Sequence, residues 1–239
     1  MSTERFDPFV SEWTAFSKNP NYNLIEKSLK LAEILEYHDL DIAKYVERIN
    51  EIGNSIRMKI SGVKNPTYLI SILNEYLFDE LGFCGAEEDY YDPGNSFLNT
   101  VLDKKTGIPI TLSIIYVEAA KNIGLDLKIV GFPGHVIVKY KNEIILDPFY
   151  RGRLLTIENL EEILDRNFGD GVEFVPEYLN EATTEQLLTR LLRNLKNAYT
   201  QSYAYDSAMK CTDMILGMQP ESPEEIRDCL LYTSDAADE

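Results

Sequence analysis

The sequence is short of positive charge, cysteine and long apolar runs. Against 40 Asp and Glu it sets only 23 Lys and Arg, a formal charge of −17. This balance argues against direct binding of nucleic acid or anionic membranes, because phosphate contacts need a basic patch. No segment approaches the ~18 apolar residues of a membrane span, and the first residues lack the pattern of a secretory signal. We therefore expect a cytoplasmic protein.

Cysteine and histidine are both scarce. The three cysteines, Cys84, Cys211 and Cys229, lack metal-like spacing, so we predict no disulfide framework, no metal site and no cofactor. Cys229 begins CLLYTSDAADE, which resembles the translation of a transposase sequencing adapter. We expect 229–239 to be such an artefact and the natural sequence to be interrupted near Asp228. A genuine disordered acidic tail is the alternative.

Apolar periodicity predicts an α+β fold with helices at both ends. Strands are predicted only in the middle, at 126–131, 135–140 and 143–147. Helices are predicted over 23–37, 41–58, 65–80, 96–102, 109–124, 156–166, 182–200, 203–216 and 220–228, after a start at Asp7-Pro8. We divide the chain into a helical region (1–62), a core (63–180) and a helical tail (181–228). The short paired helices of the tail indicate truncated helical repeats.

The loop GFCGAEEDYYDPGN, residues 82–95, has neither helical nor strand periodicity. Loops of this length inside compact domains are often functional. We therefore single out its polar and aromatic side chains as candidate binding residues: Asp89, Tyr90, Tyr91, Asp92 and Asn95. The alternative is a packed loop whose tyrosines fill the core.

The segment PGHVIVKYKNEIILDPF, residues 133–149, predicts a hairpin that brings a histidine to an aspartate. A three-residue turn at 140–142 pairs His135 with Asp147 and leaves an aliphatic opposite face, with Asn142 in the left-handed position. A two-residue turn would place the two side chains on opposite faces. We favour the first register, in which the carboxylate orients the imidazole. A purely structural hydrogen bond is the alternative.

These motifs resemble a known family. A helix, then a strand beginning with His and a strand ending in Asp, resembles the transglutaminase-like core of papain-like cysteine enzymes. More narrowly, three segments resemble the SirB-like bacterial proteins, described as regulators of sirC expression: DYYDPGNSFLNTVLDKKTGIPITLSIIYVEAAKNIGL, FPGHVIVKY and LDPFYRG. The resemblance spans about 25–228 and implies a tetratricopeptide-repeat tail. It assigns His135 and Asp147 to two positions of a catalytic triad.

The same resemblance puts the nucleophile two residues after Gly107, where this chain has Pro109. A cysteine there would be ionised by the helix N-terminus and the histidine, but proline carries no thiol. Two weak substitutes are Cys84, on the loop, and Ser113, one helical turn further along. A packed free cysteine and a serine bonded to a backbone carbonyl are the alternative roles.

The missing nucleophile favours a regulatory or scaffolding module that binds a protein partner and is not an enzyme. A divergent hydrolase or acyl-transferase acting on amide bonds is the second hypothesis, with Cys84 or Ser113 as nucleophile, His135 as base and Asp147 as its orienting residue. A structural adaptor in which the pair only pins the hairpin is the third. The sequence does not indicate the oligomeric state.

Overall fold

The computed structural model describes residues 8–60, 62, 64–169 and 171–228, so the predicted artefact at 229–239 lies outside the described residues. It is mostly helical with two small sheets, consistent with the predicted α+β class. The helices are α1 Pro8–Lys18, α2 Leu24–Leu35, α3 Ile42–Lys59, α4 Pro66–Asn74, α5 Leu98–Lys104, α6 Pro109–Lys121, α7 Ile157–Phe168, α8 Thr184–Gln201 and α9 Tyr205–Met218. A π-helical stretch, Glu75–Glu80, extends α4, and 223–228 are also helical. None of the described helices has the length and hydropathy to cross a bilayer.

Polar side chains fix where several helices begin. Each accepts a hydrogen bond from a backbone N–H of the first turn, which stabilises a helix by about 1 kcal/mol. The capping residues are Asn23, Asp41, Asn65, Thr156 and Thr183. Asp41 thus caps the helix predicted over 41–58, and α1 begins at Pro8 as expected.

Helix α6 runs through the centre of the molecule. Every residue from Pro109 to Val117 is buried, as expected for a helix that is apolar on all sides. It packs against α3, α4 and α5 and against the first two strands of the larger sheet. This packing fixes the start of α6 close to the sheet.

The larger sheet is antiparallel, with strands in chain order: β3 Leu127–Val130, β4 Ile137–Tyr140, β5 Ile144–Asp147 and β6 Arg153–Leu154. Its two faces join different apolar clusters. Val138 and Leu146 join the main core around α6, whereas Val130 and Ile137 pack with α7. Both faces are therefore covered by helices.

The register predicted for the hairpin is wrong by two residues. Val138 pairs with Leu146, Lys139 with Ile145 and Tyr140 with Ile144. The turn occupies 141–143, and Lys141, not Asn142, takes the left-handed conformation with φ 52°. The shift keeps Tyr140 in the strand, where its ring packs against the core. Because the error is an even number, every side chain keeps its predicted face.

The sequence did not predict the smaller sheet. Strand β1, Cys84–Gly85, pairs in parallel with β2, Thr106–Gly107. The β1 strand lies inside the loop that was predicted to have no regular structure, and Pro93–Ser96 form a 3-10 turn in the same loop. Two-residue strands are too short to give a periodic signal.

The C-terminal helices pack onto the N-terminal ones. Helix α9 lies against α8 and α1, and Trp13 Nε1 donates to the carbonyl of Met214 at 3.0 Å. A buried ion-pair network joins α8 to 223–228, where Lys196 Nζ lies 2.7 Å from Glu225 and 2.8 Å from Asp228. One apolar cluster includes residues of all three predicted regions. The boundaries of those regions and the repeat character of the tail stay predictions.

Candidate functional site

The His135 and Asp147 side chains meet at one end of the hairpin. His135 Nε2 lies 2.8 Å from Asp147 Oδ2, and the other carboxylate oxygen accepts from the backbone N–H of Phe149 at 3.0 Å. The aspartate is 1% exposed and the histidine side chain 13%. An ionised carboxylate only accepts hydrogen bonds, so the proton lies on Nε2. The pair is thus an oriented imidazole with a buried carboxylate behind it.

A tight turn from Phe132 to His135 holds the histidine. The Phe132 carbonyl accepts from the His135 N–H at 3.0 Å and also from Arg190 Nη1 at 3.0 Å. Gly134 has φ 72°, and a Cβ there would lie 2.5 Å from Asn167 Cγ, so only glycine fits. The turn is therefore held between Asn167 of α7, which packs against Gly134, and Arg190 of α8, which donates to the Phe132 carbonyl.

Arg190 is a residue that sequence reasoning missed. It lies beside the apolar stripe of α8, 58 positions from its acceptor, so no local pattern reports the contact. Desolvation by burial lowers the pKa of its guanidinium, and the nearby Tyr90 phenol raises it. Among the contacts of the described residues, none joins Arg190 to a carboxylate.

His135 opens onto a cleft of about 580 Å³ whose wall is largely aromatic. The rings form a chain of edge-to-face and stacked contacts, from Tyr91 to Tyr90, then to Phe149 and from there to Tyr150 and His135. The three tyrosines are 37–55% exposed, so they line the cleft and do not fill the core. The remaining lining residues are Glu87, Pro109, Gly134, Ile163, Arg166 and Asn167.

Pro109 stands in this cleft at the first turn of α6. Pro109 thus lines the same cavity as His135, at the N-terminal end of the helix. Thr111, two residues on, turns inward. Its hydroxyl donates to the carbonyl of Asn95 and accepts from the N–H of Ile108. The position that the resemblance assigns to a nucleophile carries no ionisable group.

A second cleft of about 670 Å³ adjoins the first and shares Glu87, Phe149 and Tyr150 with it. It contains the other three candidate binding residues, two of which have structural contacts. Asp92 accepts from the Gly94 N–H at 2.8 Å, and buried Asn95 donates to the carbonyl of Asp89 at 2.6 Å. Asp89 itself is exposed. Tyr90 and Tyr91 are thus in the histidine's cleft, whereas Asp89, Asp92 and Asn95 are in its neighbour.

The candidate nucleophiles are not in the histidine's cleft. Cys84 is exposed in the second cleft, with Sγ 3.5 Å from the Thr106 hydroxyl. Ser113 is fully buried, and its Oγ has no hydrogen-bond partner among the described residues, so the expected bond to a carbonyl is absent. Cys211 is buried in the C-terminal helices, and desolvation raises the pKa of its thiol. Within the described part of the chain, no cluster of three or more His, Cys, Asp or Glu side chains is placed to hold a metal ion.

Comparison with known proteins shows which protein superfamily the chain belongs to. A family model described as the transglutaminase-like superfamily matches residues 43–193, more than half of the chain. The chain therefore belongs to the transglutaminase-like superfamily, and its bacterial relatives are UPF0162 proteins. One from Xylella fastidiosa (strain 9a5c) is 35% identical over 199 residues, 81% of this chain and 71% of that protein. One from Vibrio cholerae is 30% identical over 155 residues, 63% of this chain and 57% of that protein.

A eukaryotic protein matches as well. Human F-box only protein 21 is 24% identical over 200 residues, which is 75% of this chain and 31% of that longer protein. The same region thus forms part of a larger chain. No solved structure gave a significant match. The matched span, 43–193, contains His135, Asp147 and Arg190.

Proposed function

We propose that this chain is a non-catalytic transglutaminase-like module that binds a protein partner in the cleft around His135 and Asp147. Its role is regulatory or scaffolding, in line with the resemblance to the SirB-like regulators. The tail, as the start of a helical repeat array, adds a second docking surface. The cytoplasmic location expected from the sequence is part of this proposal.

One observation carries the proposal. Pro109 lines the same cleft as His135, at the helix start where the fold would present a thiol. An imidazole held by a buried carboxylate is suited to activating a nucleophile, but proline offers none. The exposed aromatic wall that remains is typical of protein-binding surfaces, where tyrosines contribute much of the affinity.

The similarity to F-box only protein 21 also supports a protein-binding role. In that protein the matched region is 31% of the length, so the fold occurs there as one part of a larger protein. The same fold makes up 31% of F-box only protein 21 and most of the Xylella relative. This occurrence in chains of different composition suits a module that acts by binding other proteins through its surface.

A thiol placed at the cleft tests the assignment of Pro109. In a Cys84→Ala background, we expect Pro109→Cys to be alkylated by iodoacetamide below pH 7, since the helix N-terminus and His135 stabilise a thiolate. Adding His135→Ala should return the reaction to the pH range of an ordinary thiol. Equal alkylation profiles with and without His135 would show that position 109 does not face the imidazole.

The unmodified protein tests the absence of catalysis. With a glutamine dipeptide and hydroxylamine it should form no hydroxamate. Formation of hydroxamate that is lost in Cys84→Ala would instead establish the amide-bond acyl-transferase, since the cleft of Cys84 shares Phe149 and Tyr150 with that of His135.

Binding is tested by affinity capture from cells that express the chain natively. A partner held by the cleft should be lost with Tyr150→Ala and retained with Tyr22→Ala, which removes a comparably exposed ring from the connection between α1 and α2. A set of captured proteins that is identical for both variants would contradict binding in the cleft.

A further inference from the structure

We propose that the aromatic cleft receives the side chain of a lysine or arginine from an extended peptide segment of the partner. This occupant, which presupposes the protein-binding role proposed above, follows from two properties of the cleft. Its wall is built of partly exposed aromatic rings, and the exposed carboxylates of Glu87, Glu88 and Asp89 on the adjoining loop make no ion pair with the described residues.

The first property is the arrangement of the rings. Tyr90, Tyr91 and Tyr150 line the cavity and are 37%, 55% and 42% exposed, so each ring keeps surface that a ligand can reach. Tyr91 meets Tyr90 at 5.3 Å and Phe149 meets Tyr150 at 5.0 Å between ring centroids, both edge to face. Rings set at such angles surround a ligand on more than one side. An ammonium or guanidinium group within ~6 Å of such faces is attracted by each of them.

Phe149 anchors this wall. It is almost fully buried, its N–H is held by Asp147, and its ring lies where a Cβ on Gly85 would come within 2.7 Å. The aromatic wall is therefore fixed by the same carboxylate that orients His135, and it needs little reorganisation to bind.

The second property is the charge at the rim. Glu87, Glu88 and Asp89 are exposed on the loop that carries the two tyrosines, and no ion pair joins them to any described residue. Glu87 lines both clefts. The cations of the second cleft already have acidic partners, because Arg151 pairs with Asp79, and Lys104 lies 3.9 Å from Asp92.

One basic residue opposes this charge. Arg166 of α7 lines the histidine's cleft and makes no ion pair with the described residues. Glu87 therefore lines the cleft with Arg166, while Glu88 and Asp89 add two further carboxylates in the adjoining cleft, on a chain of formal charge −17. The rim favours a cation, and Arg166 weakens that preference. Removal of Arg166 should accordingly improve the binding of a basic peptide, whereas an acidic ligand would lose affinity.

The test uses the full chain and three labelled nonapeptides with the repeat Gly-Ser-X, where X is lysine, Nε-acetyllysine or glutamate. Fluorescence anisotropy gives the affinities, and aromatic ¹H–¹³C spectra show which rings are shifted. We expect the lysine peptide to bind at least about tenfold more tightly than the other two and to shift the Tyr90 and Tyr150 signals. Tyr91→Ala and Tyr150→Ala should each weaken it about two- to fivefold, the size of one exposed cation–π contact.

Variants of the charged residues test whether the cleft prefers a cationic or an anionic ligand. Combined Glu87→Gln, Glu88→Gln and Asp89→Asn should weaken the lysine peptide, and Arg166→Gln should strengthen it about twofold. Tyr203→Ala and Glu47→Gln, on exposed positions outside the cleft lining, should change nothing. Circular dichroism and thermal melting confirm that each variant is folded.

Three results would overturn the proposal: equal binding of the three peptides, tighter binding of the glutamate peptide, or weaker binding after Arg166→Gln. If Tyr150→Ala abolishes capture of the native partner while the lysine peptide does not bind, the cleft binds protein and only the basic occupant is wrong. If Tyr150→Ala leaves capture unchanged as well, the protein-binding cleft itself fails.

Discussion

Two regions of the molecule bury a carboxylate, and they differ in what lies in front of it. Glu225 is 0% exposed and is enclosed by Lys196 and Arg193, with the lysine also bound to Asp228. Asp147 is 1% exposed, but its partner His135 reaches into an open aromatic cleft. In the first arrangement the buried carboxylate is bound only by charged side chains of the fold, whereas in the second its partner is presented to a cleft.

The comparison assigns the two carboxylates different roles. Glu225 stabilises the fold, whereas Asp147 positions a histidine at the surface of a cleft. A sealed ion pair contributes mostly by avoiding the cost of a lone buried charge. A buried aspartate behind a cleft histidine also fixes the direction and tautomer of the ring. Variants at the two places should therefore fail in different ways, the first in stability and the second chiefly in binding.

The largest effect is expected at the sealed carboxylate. Glu225→Gln leaves the buried Lys196 with less compensation and should lower the free energy of unfolding by about 3 kcal/mol. Urea denaturation measures it. A double variant, Lys196→Met with Glu225→Leu, should regain most of the loss because no lone charge remains. A loss below about 1 kcal/mol for Glu225→Gln would indicate that the network is not buried.

Removing the charge behind the histidine should cost less stability. Asp147→Asn keeps the shape and still accepts from the Phe149 N–H, so we expect a loss of about 1–2 kcal/mol. The amide presents a donor to Nε2, which should move the imidazole proton to Nδ1. Nitrogen-15 spectra of His135 report this tautomer change. A lowered melting temperature with an unchanged tautomer and unchanged partner binding would favour the structural-adaptor hypothesis.

The effect expected at Arg190 is intermediate. This arginine does not line the histidine's cleft, but it holds the turn that carries His135. Arg190→Met removes one donor from the Phe132 carbonyl and should cost about 1 kcal/mol. It should also broaden the His135 ring signals, because the turn that carries the histidine loses a contact. Arg57→Met, which removes an exposed arginine from α3, is the matched control. If both variants leave the His135 signals alike, the turn does not depend on Arg190.

The smallest effect concerns pH and is confined to the sealed network. Burial by itself raises the pKa of the Asp228 carboxyl, but hydrogen bonds from Lys196 and Arg227 outweigh it and hold the pKa below its usual range. A lowered pKa means that Asp228 stabilises the fold above its ordinary value of ~3.9 and that this stabilisation is lost as the pH falls below it. Asp228→Asn should therefore make the acid limb of the stability curve shallower. Parallel curves for the two proteins between pH 5 and pH 3 would contradict this.

Lys196 titrates at the opposite end. Desolvation lowers its pKa, but hydrogen bonds to Asp228 and Glu225 outweigh that and raise it above the usual range. Its contribution is complete below pH ~10.4 and is lost only as the pH rises further. The acid and the alkaline parts of the curve of stability against pH thus both report on the ion-pair network of Lys196 and Asp228.

Local chemistry in the sequence was enough to place most helices. The helices predicted from 41, 65 and 156 begin one residue after those positions, where Asp41, Asn65 and Thr156 cap them. The hairpin shows the limit of such local information. Turn preferences predict the turn at 140–142, but in the structure Tyr140 stays in the strand and packs against the core, and the turn occupies 141–143.

The sequence alone determined that His135 and Asp147 share a face, because alternation along a strand survives a shift of two residues. It also determined that the helix start at Pro109 offers no nucleophile, because that is a matter of residue identity. Only the tertiary structure decided that Pro109 and His135 line one cleft, that Cys84 opens into another and that Arg190 grips the histidine's turn. These contacts join residues far apart in the chain, and a local sequence pattern holds no information about such pairs.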